Sequence, residues 1–275
     1  MPTGLSLWQG MECAIFLCVG GALAWMELRQ PRRLAAPNRR KRWGVNLTLY
    51  ALGILLTWSV VEPVRLAAIR LGSLFEQGAG LAALAWPDML IVALGVVLVD
   101  ALQYLLHRLS HAIPLLWRLH QVHHADEVVD VSTAIRHHPL EVLALTALAL
   151  MLSAALGVPV LALLIYALMQ WAHTLLCHAN VALPARLDRV LRLVIVTPDM
   201  HRVHHSVRMD EGQRNFGMVL PWWDWVFRSY QAQPRAGHEG MALGLASTQG
   251  QGVWASLVQP LRSVSDASAE AQILR

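Results

Sequence analysis

A chain of 275 residues that is 56% hydrophobic and only 15% charged, with a mean hydropathy of +0.44, is too apolar for an ordinary soluble domain and points to an integral membrane protein. Its formal charge of +4 is concentrated between Arg29 and Arg42, where seven of fourteen residues are basic. Flanked by apolar runs, that stretch reads as a juxtamembrane loop facing anionic lipid, so nucleic acid is not an expected partner. Three cysteines exclude a disulfide framework, and Cys13, Cys18 and Cys177 read as buried thiols.

In chain order, Trp8 to Leu28 is the first spanning candidate, since about 20 apolar residues cross a hydrocarbon core of about 30 Å. No basic segment precedes it, so it reads as a retained anchor rather than a cleaved signal. The basic loop then belongs in the cytoplasm by the positive-inside rule. Val45 to Val61 crosses back out. From Glu62 to Trp86 the apolar pattern weakens, which predicts an interfacial or re-entrant piece. Pro87 suits a first helical turn, and Met89 to Leu106 returns toward the cytoplasm. Leu140 to Leu156 and Val158 to Gln170, parted by Gly157 and Pro159, read as a helical hairpin. Thr197-Pro198-Asp199 reads as a capped helix start. The reading is therefore an all-α membrane bundle of about four spanning helices with a cytoplasmic helical cap. It forms a single domain over 1–230, with a site-bearing core at about 100–230. A polar tail follows over 231–275, holding a short amphipathic piece at Val253 to Val264 and then a loose end.

Twelve of the thirteen histidines lie between His107 and His205. His107 and His111, like His120 and His124, are four apart and share a helix face, so each pair can chelate one ion. In the doublets His123-His124 and His204-His205 neighbouring side chains diverge by about 100°, so one helix end can serve two ions. Two such groups facing each other build a dinuclear site. Imidazole suits iron, copper, zinc and nickel. Ring nitrogens not used for metal need acceptors, and Asp100, Asp126, Asp130, Glu141, Asp199 and Asp224 are available. A nearly all-histidine set differs from the glutamate-rich set of ferritin-like bundles.

The order His-x3-His, His-x2-His-His and a final His-x2-His-His, with Asp100 and Tyr104 ahead of the first box, resembles the fatty acid hydroxylase/sterol desaturase superfamily. The run Arg136-His137-His138-Pro139-Leu140-Glu141 carries the same resemblance. So do His178-Ala179-Asn180, Thr197-Pro198, Asn215-Phe216-Gly217 and Trp223-Asp224.

The resemblance implies oxygen-dependent hydroxylation or desaturation of a lipid by two iron ions, with zinc able to stand in after preparation. An external electron donor, a ferredoxin, cytochrome or reductase, is implied as partner beside the lipid and the bilayer. Carried over residue by residue, the implied ligands are His107, His111, His120, His123, His124, His178, His201, His204 and His205, with His173 matching more loosely. Asp100, His138, Glu141 and Asn180 are the implied outer support. Gln213-Arg214 before Asn215 and Arg228-Ser229 after Phe227 depart from the family pattern and bear on subfamily and substrate.

Beside these stand plainer readings. His238, isolated in the tail, is structural, and His137 is evenly divided between ligand and structural roles. The tryptophan run at Trp222 to Trp225 is first a membrane-interface belt and second a substrate wall. The rival function is a histidine-rich metal transporter, which would space its ligands along the spans.

Overall fold

The computed structural model describes residues 4–34, 38–75, 80–245 and 252–261, with the backbone alone at 4–9, 61–75 and 82. Among them the regular secondary structure is all helix, with two isolated β-bridges, Pro31 with Val181 and Ser206 with Leu243. The long helices are α1 (Gly4–Arg29), α2 (Arg39–Phe75), α3 (Asp88–Ala112), α5 (Pro139–Ala155) and α6 (Val160–His178), with α4 (Pro114–His124) between α3 and α5. Shorter helices follow: α7 (Ala185–Leu191), α8 (Pro198–His204), α9 (Met209–Gly212), α10 (Trp222–Val226), α11 (Gly237–Gly240) and α12 (Val253–Val258).

Among the described residues four helices are long and apolar enough to cross a membrane: Gly10–Arg29, Arg39–Val60, Asp88–Ala112 and Val160–His178; α5 is apolar but shorter. The hairpin expected from Gly157 and Pro159 is present as α5 and α6. Packing runs α1 on α6, α6 on α3, α3 on α5 and α5 on α2. Between α3 and α6 the backbones come close at Gly95, where a Cβ would meet the Ala162 Cβ at 2.8 Å. Small residues at such a contact let apolar helices pack where the hydrophobic effect supplies no drive. Around it Val92, Val99, Val158, Tyr166 and Val219 form one buried cluster. Leu17, Leu55, Trp58 and Met89, by contrast, are well exposed on the outside of the bundle, as lipid-facing side chains must be.

Several expectations are corrected here. The helix continues where the apolar pattern weakens: the stretch apolar enough to span ends at Val60, yet α2 runs on through Pro63 to Phe75, because the residues beyond the proline are mostly leucine, alanine and arginine, good helix formers. Residues 76–79 lie outside the described residues, and Gly80–Leu84 is a 3-10 turn whose Leu81 N–H donates to Leu156 O at 3.2 Å. The basic stretch is not simply a lipid-facing loop. Arg42, in the first turn of α2, is 6% exposed. It donates to both Asp126 oxygens at 2.7 and 2.8 Å and to Asp130 Oδ2 at 2.9 Å. Arg39 pairs with the buried Glu27, whose Oε1 accepts from Val131 N and Asn180 N. Burial is the largest influence on Asp126 and pushes its carboxyl up, yet the Arg42 hydrogen bonds and charge win and hold it below the ordinary range. Cys13 and Cys18 face outward, and Cys177 alone of the three is buried. In the segment where a short amphipathic piece is expected, Val253 and Leu257 pack on Val45, Leu49 and Val122, and Ser256 accepts from Arg136. Residues 262–275 lie outside the described residues.

These contacts place the C-terminal ends of α1, α3 and α6 and the N-terminal end of α2 together. Arg42 reaches the loop after α4, and Asn180, two residues past α6, bonds Arg33 N and O just past α1. All the histidine-bearing segments therefore meet at one end of the bundle.

Candidate metal centre

His107 and His111 lie on the last two turns of α3, four apart and therefore on one face. Pro114 starts α4, which turns the chain back so that His120, His123 and His124 fill its final turns. His178 ends α6. Thr197 caps α8, its hydroxyl accepting from Met200 N, and that helix brings His201 and His204, with His205 next in the chain.

The side chains sort into two groups. His107, His111, His120, His124 and His204 form one, and His123, His178, His201 and His205 the other; within each, the ligand nitrogens lie within 4.8 Å of one another. Each doublet is divided between the groups, as the 100° offset requires. All nine rings are buried.

Which nitrogen faces inward is set by what the other one bonds. His107 Nδ1 donates to Phe216 O at 2.8 Å, His204 Nδ1 to Arg214 O at 2.8 Å and His178 Nδ1 to Thr174 O at 2.7 Å. His123 Nδ1 donates to Arg136 O at 3.2 Å and His120 Nδ1 to Glu141 Oε1 at 2.6 Å. In a neutral imidazole that leaves Nε2 as a bare lone pair. Yet the Nε2 atoms of His123 and His178 lie 3.1 Å apart, those of His178 and His201 2.9 Å, those of His201 and His205 3.2 Å and those of His120 and His124 3.1 Å. For His123 and His178 both Nδ1–H groups point away, so two lone pairs face each other and need a cation between them. Bonds of about 2.0–2.1 Å to one ion at 90–110° put two nitrogens about 2.8–3.4 Å apart. The donor set thus fits transition-metal ions. The buried Nε2 atoms of His107, His111 and His204, with no hydrogen-bond partner among the described residues, fit in the same way.

Outside the spanning segments, burial first and neighbouring imidazoles second push His123, His124, His201 and His205 well below the ordinary histidine range. Burial likewise pushes His204 down to about 3. These five rings are therefore held neutral at physiological pH, the state a metal ligand needs.

Other expected residues fall elsewhere. His173 is in neither group, and its Nε2 donates to Val196 O at 2.8 Å. Asp100 accepts from Tyr166, Trp223 and two backbone amides. His138 caps α5, accepting from Leu140 N, and Asn180 bonds the Arg33 backbone. Of these outer candidates Glu141 touches a grouped ring. Carboxylates were expected to take the ring N–H groups, but backbone carbonyls of Phe216, Arg214, Thr174 and Arg136 take most of them; such acceptors have no side-chain signature in sequence. Asp224 acts one step back, accepting from Phe216 N and Gly217 N. His137 stacks on His123 at 4.4 Å between centroids and lies 3.3 Å from Glu141. The Gln213 amide stands 3.4 Å from His111 Nδ1; a flip of that amide would offer oxygen instead of nitrogen. His238, expected in a polar tail, is 5% exposed and its Nε2 is 3.5 Å from Asp199.

The fold and this end of it define a helical membrane-type bundle closed by a two-part polyhistidine cage. The fatty acid hydroxylase family model matches residues 92–229, which include all nine clustered histidines, and the chain belongs to that family. It is 32% identical over 175 residues to an ornithine lipid hydroxylase of Rhizobium tropici, covering 64% of this chain and 51% of that protein. It is 28% identical over 137 residues to the human alkylglycerol monooxygenase, covering 49% of this chain and 29% of that protein. With the Caenorhabditis elegans alkylglycerol monooxygenase it shares 29% over 136 residues, 49% of this chain and 26% of that one. The chain thus spans about half the length, or less, of these relatives. No solved structure matches it.

Proposed function

We propose that the protein is a membrane-bound, oxygen-dependent lipid hydroxylase working through two iron ions. His107, His111, His120, His124 and His204 would hold one ion and His123, His178, His201 and His205 the other. The observation that carries this is the pair of facing Nε2 lone pairs on His123 and His178, each ring with its Nδ1–H already donated elsewhere. When bound, iron would supply the redox chemistry of oxygen activation. The reaction turns a lipid C–H, dioxygen, two electrons and two protons into C–OH and water, so an electron donor, a ferredoxin, cytochrome or reductase, would deliver the electrons.

What the chain's own residues do is narrower. The Phe216, Arg214, Thr174 and Arg136 carbonyls and Glu141 fix the rings with Nε2 inward. Phe216, 5.2 Å from His111 and 5.5 Å from His204 between ring centroids, covers the first group with an apolar surface. Sequence similarity to the ornithine lipid and alkylglycerol enzymes supports a polar lipid with a long chain as substrate, and their names support hydroxylation over desaturation. The seven basic residues of 29–42, at the same end as the histidines, support a cytoplasmic site. A transport path would need ligands along the spans, whereas all nine rings gather at one end.

The test is a lipid profile of cells with and without the protein, together with iron analysis of protein made in its own host. A lipid species heavier by one oxygen, lost with His124→Ala, and iron bound to the purified chain are expected. An unchanged lipid profile and iron-free protein would contradict the proposal.

A further inference from the structure

Two polar side chains inside spanning helices, Asp100 of α3 and His173 of α6, stand outside both histidine groups and face later parts of the chain. Asp100 accepts from Tyr166 Oη at 2.8 Å, Trp223 Nε1 at 2.8 Å, Val219 N at 3.1 Å and Leu220 N at 3.2 Å. His173 donates to Val196 O at 2.8 Å, and Val196 N donates to Val219 O at 2.9 Å.

Helix rise converts this to depth. Asp100 precedes the end of its span at Ala112 by twelve residues and His173 precedes the end of its span at His178 by five, so they lie about 18 Å and 7 Å back from those ends. The segments clamped to them, 185–196 and 216–227, therefore fold back alongside the spanning helices instead of standing beyond them. Trp222 Nε1 donates to Leu193 O at 2.8 Å and joins the two into one surface.

That surface is apolar and outward. Val190 is 61% exposed, Leu193 59%, Val226 66% and Phe227 52%. Large apolar side chains left exposed on two joined segments point to an apolar partner. Its backbone is prepared for a medium without water, where every amide needs a protein acceptor. The amides of Phe216 and Gly217 are held by Asp224, those of Val219 and Leu220 by Asp100, and those of Ser229 and Tyr230 by the Asp224 carbonyl. Arg186, Arg189 and Arg228, all exposed, flank the patch with charge of the sign that meets lipid phosphate.

We propose that α7 and α10 form a re-entrant collar immersed in the leaflet beside the histidines. Asp100 and His173 clamp it, and the flanking arginines seat on anionic headgroups. The occupant of the patch is the bilayer itself, because the collar is continuous with the outer surface of the spans α3 and α6. The proposal needs only that those helices cross a membrane. It uses neither the metal nor the oxygen reaction, so its failure and theirs are distinguishable.

The experiment places a nitroxide at Val226→Cys or Val190→Cys, with Gln233→Cys as the exposed control, in full-length protein carrying Cys13→Ser and Cys18→Ser. The protein sits in phosphatidylcholine nanodiscs with or without phosphatidylglycerol. Accessibility to oxygen relative to a nickel chelate is expected to be several-fold higher at 226 and 190 than at 233, and higher still with phosphatidylglycerol. Adding Asp100→Ala is expected to raise chelate access at 226, and Asp100→Asn to do so less. Equal chelate access at 226, 190 and 233 would overturn the proposal, and no effect of either Asp100 change would overturn the clamp. Should the labelled proteins not fold, quenching by brominated acyl chains decides: Trp225→Phe is expected to remove part of the quenchable emission, and an unchanged quenchable fraction overturns the proposal.

Discussion

Glu141→Ala is expected to loosen one metal ion and leave the other in place. The Glu141 side chain is 4% exposed, and its Oε1 accepts the His120 Nδ1–H at 2.6 Å, a short bond between a carboxylate and a ring that belongs to the five-histidine group. Loss of such an outer partner lowers metal affinity about 10–100-fold, which is about 1.4–2.7 kcal/mol. The bond is buried and charged, so the upper part of that range is expected. Glu141→Gln keeps an acceptor but loses the charge, and falls at about tenfold or below. The assay titrates a chelator against purified protein and counts retained metal per chain. Wild type holds both ions over the widest range of chelator, whereas Glu141→Ala sheds one ion early and the second at the wild-type concentration. Retention of both ions at wild-type strength, or simultaneous loss of both, would refute the assignment of Glu141 and His120 to one of two separable groups.

Three further outcomes follow from the packing. His173→Ala keeps both ions, because its ring bonds Val196 O and belongs to neither group, whereas His124→Ala loses at least one; elemental analysis of the two proteins side by side decides. Arg42→Met strands Asp126 and Asp130 without their buried partner and is expected to destabilise by about 3–5 kcal/mol, read as an earlier thermal transition in detergent. A smaller loss in the double variant Arg42→Met with Asp126→Asn would confirm that the stranded charge is the cause. Gly95→Val drives a side chain into Ala162, whose Cβ already stands 2.8 Å from where a Cβ would be; overpacking there costs about 1–3 kcal/mol, while Gly44→Val, with open space around it, serves as the control.

The histidine spacing was legible because a four-residue step on a helix has one geometric meaning, and His107/His111 and His120/His124 obey it. The division of each doublet was legible for the same reason. Apolar length exposed α1, α3 and α6, and Gly157-Val158-Pro159 exposed the α5–α6 hairpin. What sequence could not carry was pairing at a distance. Nothing near Arg42 says that it turns inward to Asp126, some eighty residues away, so a run of basic residues read as a lipid-facing loop. Backbone carbonyls as ring acceptors leave no mark in composition, and the carboxylates that do, such as Asp100 and Asp224, proved to hold loop amides. His173 and His178 look alike in sequence, both histidines near one helix end. Five residues turn the ring through about 500°, that is about 140° away from the other, so they face different neighbours. His238 sits in a segment that is polar by composition, yet packing beside Asp199 buries it, a structural place outside both histidine groups.

The most direct measurement supplies isotopically heavy oxygen gas to iron-loaded, chemically reduced protein in vesicles of host lipid and follows the lipids by mass spectrometry. A lipid carrying one heavy oxygen atom, formed by wild type and not by His124→Ala, is the predicted result. Absence of the label from every lipid, or its arrival from water instead of the gas, would contradict the account.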